Sequence, residues 1–178
     1  MDAHIGPVPA VSEYGRALNM ANDVKDIRST MNDLIETNKD GEEGFRACAE
    51  HVKDSELRTM FNEYSLQRSR FAGDLQAEVL NLGTEPEKSG STAGAIHRGW
   101  IELKGKIAGY DNHAILEECE RGEDSAIKNY RDALSKDLPN NLKQIIQAQY
   151  REVQVAHNNI RALRDGFKTA VSGSSSRL

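Results

Sequence analysis

The sequence of 178 residues has few aromatic residues (6%), four prolines and only two cysteines. Cys48 and Cys119 stand far apart, which is no disulfide framework, so we interpret them as two reduced thiols of a cytoplasmic protein. No apolar run approaches the roughly 18 residues of a membrane span. The first ten residues, MDAHIGPVPA, lack the basic and apolar regions of a signal peptide. The net charge of -5 argues against nucleic-acid binding, which depends on clustered lysine and arginine.

Four long segments carry apolar residues at three- and four-residue steps, the pattern of amphipathic α-helices, and strand patterns are absent. We predict helices over 24–53, 55–82, 112–137 and 139–167, with Asp54 or Ser55 and Asp111 as N-caps and Gly83 as a stop. The predicted organisation is a tail or frayed helix over 1–22, a four-helix bundle over 23–167 and a flexible tail over 168–178.

The connections between these helices indicate the order of the bundle. The turn between the first and second helices is only about two residues long, so these helices are antiparallel neighbours. The link between the second and third is about 28 residues long and carries a short predicted helix around Trp100. A link of that length can run along the bundle and place the third helix parallel to the second. The predicted fold is therefore an all-α, ferritin-like four-helix bundle with one long crossover.

Polar residues interrupt each apolar face near its midpoint. When four helices of similar length pack side by side, their midpoints fall at similar heights, so these residues are expected to meet in one layer of the core. The layer is expected to contain Asn38 and Glu42 from the first helix, Tyr64, Gln67 and Arg68 from the second, Glu120 and Glu123 from the third, and Gln149 and Glu152 from the fourth.

Two interpretations of this polar layer stay open. In the first, Asn38, Tyr64, Gln67 and Gln149 form a hydrogen-bonded network with an Arg68–Glu123 ion pair, which fixes the helix order. In the second, the layer is a metal site. Its oxygen ligands, suited to Fe(II), Mn or Mg, are Glu123 and Glu120 with either Glu42 or Glu152.

Motifs of known chemistry are missing from the sequence. Ferritin-like di-metal proteins use a Glu-x-x-His motif on two helices, and none of the five histidines here has glutamate three positions before it. A standard di-iron centre is therefore not encoded. Both cysteines lie on apolar faces, where thiols usually pack as small hydrophobic groups, which disfavours nucleophilic catalysis. The sequence favours a protein that is not an enzyme.

Several stretches carry a resemblance to a known family. They are LIETNKDGEEGFRACAEHV (34–52), FNEYSLQRSRFAGDLQAEVLNLG (61–83), GSTAGAIHRGWIELK (90–104), ILEECERGEDSAIKNYRDAL (115–134) and VAHNNIRALRD (155–165). Through them the chain resembles an uncharacterised bacterial family of ferritin-like four-helix bundles, labelled a domain of unknown function. The resemblance implies a ferritin-like fold in a bacterial cytoplasm and carries over no catalytic residue.

Two functions remain as hypotheses. The first is a non-enzymatic bundle that acts as a homo-oligomer or through a partner protein, which predicts an exposed apolar strip on one long helix. The second is a divergent ferritin-like metal-binding protein that holds Fe or Mn at the carboxylates of the polar layer.

Overall fold

The computed structural model describes the backbone of residues 13–86 and 111–174, and the side chains of 23–86 and 111–166. These parts of the chain form four helices and contain no strand. The helices are α1 (Glu13–His51), α2 (Ser55–Asn81), α3 (Asn112–Leu134) and α4 (Asn140–Ser174). None of these helices is long and apolar enough to cross a membrane.

The helix bounds differ from the predicted ones mainly at the two ends of the bundle. α1 begins at Glu13, inside the segment predicted as a tail or frayed helix, and α4 continues to Ser174, past its predicted end at 167. α3 ends at Leu134, slightly before the predicted end near Asp137. The short helix predicted around Trp100 lies outside the described residues.

The ends of α2 and α3 follow the capping chemistry of the sequence. The carboxylate of Asp54 accepts hydrogen bonds from the backbone N–H groups of Glu56 and Leu57, at 2.8 and 3.0 Å. Asp111 accepts one from the N–H of Ala114 at 2.9 Å. Gly83 follows α2 with a φ of 72°, the left-handed conformation that glycine adopts without steric cost. These predicted caps and the glycine stop are confirmed.

Contacts between helices establish their directions. α1 and α2 are antiparallel, because residues 52–54 alone connect them. Just after the C-terminal end of α1, the N–H of Lys53 donates to Asn112 Oδ1 at the start of α3 (3.2 Å). Near the middle of α1, Thr30 Oγ1 accepts from Lys136 Nζ, just past the end of α3 (3.1 Å). α3 is therefore antiparallel to α1 and parallel to α2. The chain has to return along the bundle, about 40 Å for the length of α2, before α3 begins. This confirms the predicted crossover and the connectivity of ferritin-like bundles.

The core consists of two apolar clusters, one at each end of the described bundle. Between them lies a buried polar layer, which we call the middle layer and define as Asn38, Arg68, Glu123, Tyr130 and Gln149. One cluster includes Met31, Leu34, Phe71, Leu75, Val79, Leu142, Ile146 and Val153. The other includes Phe45, Cys48, Val52, Leu57, Phe61, Ile115, Leu116, Cys119 and Ile160.

Candidate functional site: the middle layer

One chain of hydrogen bonds in the middle layer joins all four helices. The hydroxyl of Tyr130 on α3 accepts from Asn38 Nδ2 on α1 (2.7 Å) and donates to Gln149 Oε1 on α4 (2.9 Å). Gln149 Nε2 then donates to the backbone carbonyl of Phe71 on α2 (3.3 Å). Burial raises the pKa of Tyr130 above its ordinary value, so the hydroxyl stays protonated and able to donate. Tyr130 is thus the centre of the network.

A buried ion pair crosses the same layer from α2 to α3. Arg68 Nη2 lies 2.5 Å from Glu123 Oε2, and the two side chains are 1% and 2% exposed. Burial raises the pKa of the Glu123 carboxyl, and the positive charge of Arg68 opposes that rise. The guanidinium carbon lies 5.8 Å from the ring centroid of Phe45 and 5.7 Å from that of Phe71. Arg68 therefore touches both apolar clusters while its charge is balanced by Glu123.

Gly41 on α1 provides the space that Arg68 occupies. A Cβ atom at this position would come within 3.1 Å of Arg68 Cγ and 3.2 Å of Cδ, closer than side chains normally approach. Glycine in the middle of a helix costs about 1 kcal/mol relative to alanine. The close approach of the arginine stem explains why this helix carries a glycine at that point.

Glu123 is the carboxylate that neutralises the charge of Arg68. Arg68 forms its ion pair with Glu123 through Nη2. Among the described residues, the other two guanidinium nitrogens, Nε and Nη1, have no hydrogen-bond partner. A buried guanidinium whose counter-charge is removed is strongly unfavourable. The stability of this layer is therefore expected to depend on a single carboxylate.

The other carboxylates proposed from the sequence lie in different places. Glu120 pairs with Arg164 of α4, and Glu152 accepts from Gln67 Nε2 (3.0 Å) and Arg70 Nη2 (3.2 Å) at the edge between α2 and α4. Glu42 is half-buried on α1, where its backbone carbonyl accepts from Ser65 of α2 (2.9 Å). Within residues 23–86 and 111–166, no three His, Cys, Asp or Glu side chains are grouped as metal ligands.

Two of the residues expected in the central network lie at its edge. The hydroxyl of Tyr64 accepts from Asn159 Nδ2 of α4 at 3.0 Å, close to solvent, and its ring packs 5.3 Å from that of Phe45. Gln67 contacts Glu152 and takes no part in the Asn38–Tyr130–Gln149 chain. Sequence reasoning missed Tyr130, which fits the apolar face of α3 as well as a leucine would. The available signal was its position two helical turns from Glu123 on the same face.

The residues present do not fit the metal centre of ferritin-like di-iron proteins. Those centres need carboxylates from all four helices together with two histidines. Here the two buried carboxylates of α3 each have an arginine partner, Arg68 for Glu123 and Arg164 for Glu120. The middle layer already contains the positive charge that its carboxylate requires.

A second set of acids lines a shallow groove between α1 and α3. The groove contains Asp33, Glu36 and Asp40 on one side and Asp132 and Lys136 on the other. Burial, with a smaller effect from the charge of Glu36, raises the pKa of Asp40 to about 6. The pKa of Asp40 is thereby raised from the usual aspartate range toward neutral pH, although the residue keeps some contact with solvent.

The ion pair can be tested with stability measurements. We expect Glu123→Gln to lower the free energy of unfolding by about 3–5 kcal/mol, because Arg68 is left buried without a counter-charge. The double variant Arg68→Met, Glu123→Leu should be close to wild type or more stable. Urea unfolding of the wild-type chain, Arg68→Met, Glu123→Leu and the double variant gives the coupling energy. Glu152→Gln, at an exposed pair with Arg70, is the control and should cost less than about 1 kcal/mol. A Glu123→Gln cost as small as that of the control would contradict this assignment.

Asp40 should make the stability depend on pH. Its pKa is raised from 3.8 to about 6 in the folded chain, so the folded state binds the proton more tightly than the unfolded state. The free energy of unfolding should therefore fall as pH rises from about 4 to about 6. The measurement is the midpoint of urea unfolding at pH 4, 5, 6 and 7. In Asp40→Asn, the decrease in this midpoint with rising pH should be smaller than in the wild-type chain, because the contribution of Asp40 is removed. An unchanged profile in Asp40→Asn would rule out Asp40 as its source.

Comparison with solved structures shows the same fold in ferritin-like proteins. A single-site mutant of Mycobacterium smegmatis Dps1 has a TM-score of 0.66 and 16% identity, over 80% of this chain and 97% of that one. The bacterioferritin-related protein from Bacteroides fragilis, described as a dodecameric thioferritin, has a TM-score of 0.67 and 15% identity, over 87% and 92%. The Vibrio cholerae O1 DPS protein has a TM-score of 0.63 and 15% identity, over 80% and 91%, and is described as a member of the ferritin-like diiron-carboxylate superfamily.

These low identities establish the fold alone, and the sequence matches no curated protein. The family comparison is more specific. The model for Domain of unknown function (DUF2383) matches residues 26–136, which extend from α1 through α3 and contain four of the five residues of the middle layer. The chain belongs to the DUF2383 family, and its fold is ferritin-like.

Proposed function

We propose that this protein is a non-enzymatic ferritin-like bundle that acts by self-assembly, and that its middle layer is structural. The observation that carries the proposal is the Arg68–Glu123 ion pair, which supplies an internal cation in the bundle core, the part of the fold where ferritin-like di-metal proteins place their ligands. A side chain that already neutralises Glu123 leaves this carboxylate little affinity for a divalent ion.

The ion pair and the hydrogen-bond chain would specify the heights and neighbours of the helices. Arg68 meets Glu123 only if the midpoints of α2 and α3 lie at the same height, and Tyr130 reaches both Asn38 and Gln149 only if α3 lies between α1 and α4. Buried polar groups contribute little net stability, and their best-attested role is to fix register and order. This role suits a subunit that has to present one defined outer surface.

The outer face of α2 supports assembly through a second copy of the chain. Leu66 is 73% exposed and Leu80 is 57% exposed. Gly73 and Ala77 lie between them in the sequence and are also exposed. Residues seven positions apart are almost two helical turns apart, so Leu66, Gly73, Ala77 and Leu80 form one strip on the outer face of α2. A Cβ atom at Gly73 would meet nothing within 4 Å, so the strip is open to a neighbouring helix. An identical strip on a second copy, related by a two-fold axis, would cover it in a self-complementary contact.

The oligomeric state tests this proposal. We expect the wild-type chain to have the mass of a dimer or a larger homo-oligomer in size-exclusion chromatography with light scattering. Leu66→Glu should lower that mass, because the contact would bury an unpaired charge. Val155→Glu is the matched control, since Val155 is 57% exposed on the outer face of α4. A wild-type monomer, or equal effects of the two variants, would contradict assembly through α2.

A metal-binding function is the second candidate, and two observations favour it. Glu120 and Glu123 lie one turn apart on α3 and are only 8% and 2% exposed, an unusual degree of burial for two acids. The solved structures with this fold include a protein described as a thioferritin and another described as ferritin-like diiron-carboxylate. Metal loading distinguishes this candidate from the first.

A further inference from the structure

The two cysteines, separated by 70 residues in sequence, lie in the same apolar cluster of the core. The antiparallel register of α1 and α3 pairs Asn38 with Tyr130 near the middle of the bundle and Lys53 with Asn112 at its end. Cys48 and Cys119 lie between these two contacts, each about 15 Å along its helix from the Asn38–Tyr130 contact. The register therefore places both thiols at the same height on facing helices.

The two thiol groups also share one apolar cluster, and both are free. Cys48 is close enough to Cys119 to add to the rise in the pKa of that thiol. Cys48 is 1% exposed and Cys119 is 6% exposed, within the same apolar cluster as Val52, Ile115 and Leu116. Two thiols held together in this way have a far higher effective concentration toward each other than toward any thiol in solution.

We propose that Cys48 and Cys119 are a paired modification site, in which oxidation forms a disulfide that links α1 to α3. With hydrogen peroxide, one thiol loses its proton and attacks an oxygen, which gives a sulfenic acid and water. The second thiol then displaces hydroxide, which leaves the S–S bond and a second water. With oxidised glutathione, two successive exchanges give the same bond and two molecules of reduced glutathione.

A disulfide between Cys48 and Cys119 would affect the stability of the chain, and its position in the core would affect the rate at which it forms. It would close a loop that contains all of α2 and the crossover, a long segment whose freedom in the unfolded chain would be reduced. Burial raises the pKa of the Cys119 thiol, which keeps it protonated. Oxidation is therefore expected to be slow and to require transient opening of the bundle. The pair fits a stabilising cross-link better than a fast sensor.

The test equilibrates the full-length chain with glutathione buffers of different redox potential, once folded and once in urea. Free thiols are then trapped by alkylation at low pH, and products are read by intact mass and peptide mapping. We expect a mass two hydrogens below the reduced chain, a peptide joining Cys48 to Cys119, and an equilibrium constant at least about tenfold larger folded than unfolded. The midpoint of thermal unfolding should rise in the oxidised protein.

The controls are Cys48→Ala and Cys119→Ala, neither of which can lose two hydrogens within one chain. If a variant fails to fold, the folded-to-unfolded comparison of the wild-type chain still decides the question. Three results would overturn the proposal: thiols that stay reduced when folded in a buffer that oxidises the unfolded chain, mixed disulfides with glutathione alone, or links between chains.

Discussion

A guanidinium and a carboxylate removed from water each lose several kcal/mol of hydration, and only close pairing restores it. Arg68 and Glu123 are in this situation at the centre of the bundle, 1% and 2% exposed. The surrounding structure accommodates the pair. Gly41 gives room to the arginine stem, and the rings of Phe45 and Phe71 lie near the guanidinium from opposite clusters. The pairing requires the midpoints of α2 and α3 to lie at the same height in the bundle.

The middle layer divides the core chemically as well as spatially. Apolar clusters are tolerant of rearrangement, since hydrophobic contacts have little directionality. The hydrogen bonds of Tyr130 to Asn38 and Gln149 are directional and join three helices. We propose that, together with the ion pair, they select one packing out of several that would bury similar apolar area. Our proposal that the protein assembles through the outer face of α2 depends on this single packing, because Leu66 and Leu80 must stay outside.

The sequence predicted most of the fold and part of the site. Helix periodicity, the caps at Asp54 and Asp111 and the long second connection were sufficient for the bundle and its crossover. The Arg68–Glu123 pair was also predictable, because two buried opposite charges at similar heights need each other. The exact rotation of each helix about its own axis could not be predicted. An error of one residue turns the buried face by about 100°, which is enough to move Gln67 and Glu152 from the core to the edge of the bundle. The register between two helices likewise cannot be read from the pattern of either helix alone. The placement of Cys48 and Cys119 in one apolar cluster therefore emerged only from the structure.

The central claim is that Arg68, and not a metal ion, balances Glu123. Its most direct test is the metal content of untagged protein, measured by mass spectrometry as purified and after loading with Fe(II) and Mn(II). The wild-type chain and the Arg68→Met, Glu123→Leu variant should both contain far less than one ion per chain. One or two ions per wild-type chain that are lost in the double variant would contradict the claim and make Glu123 a metal ligand.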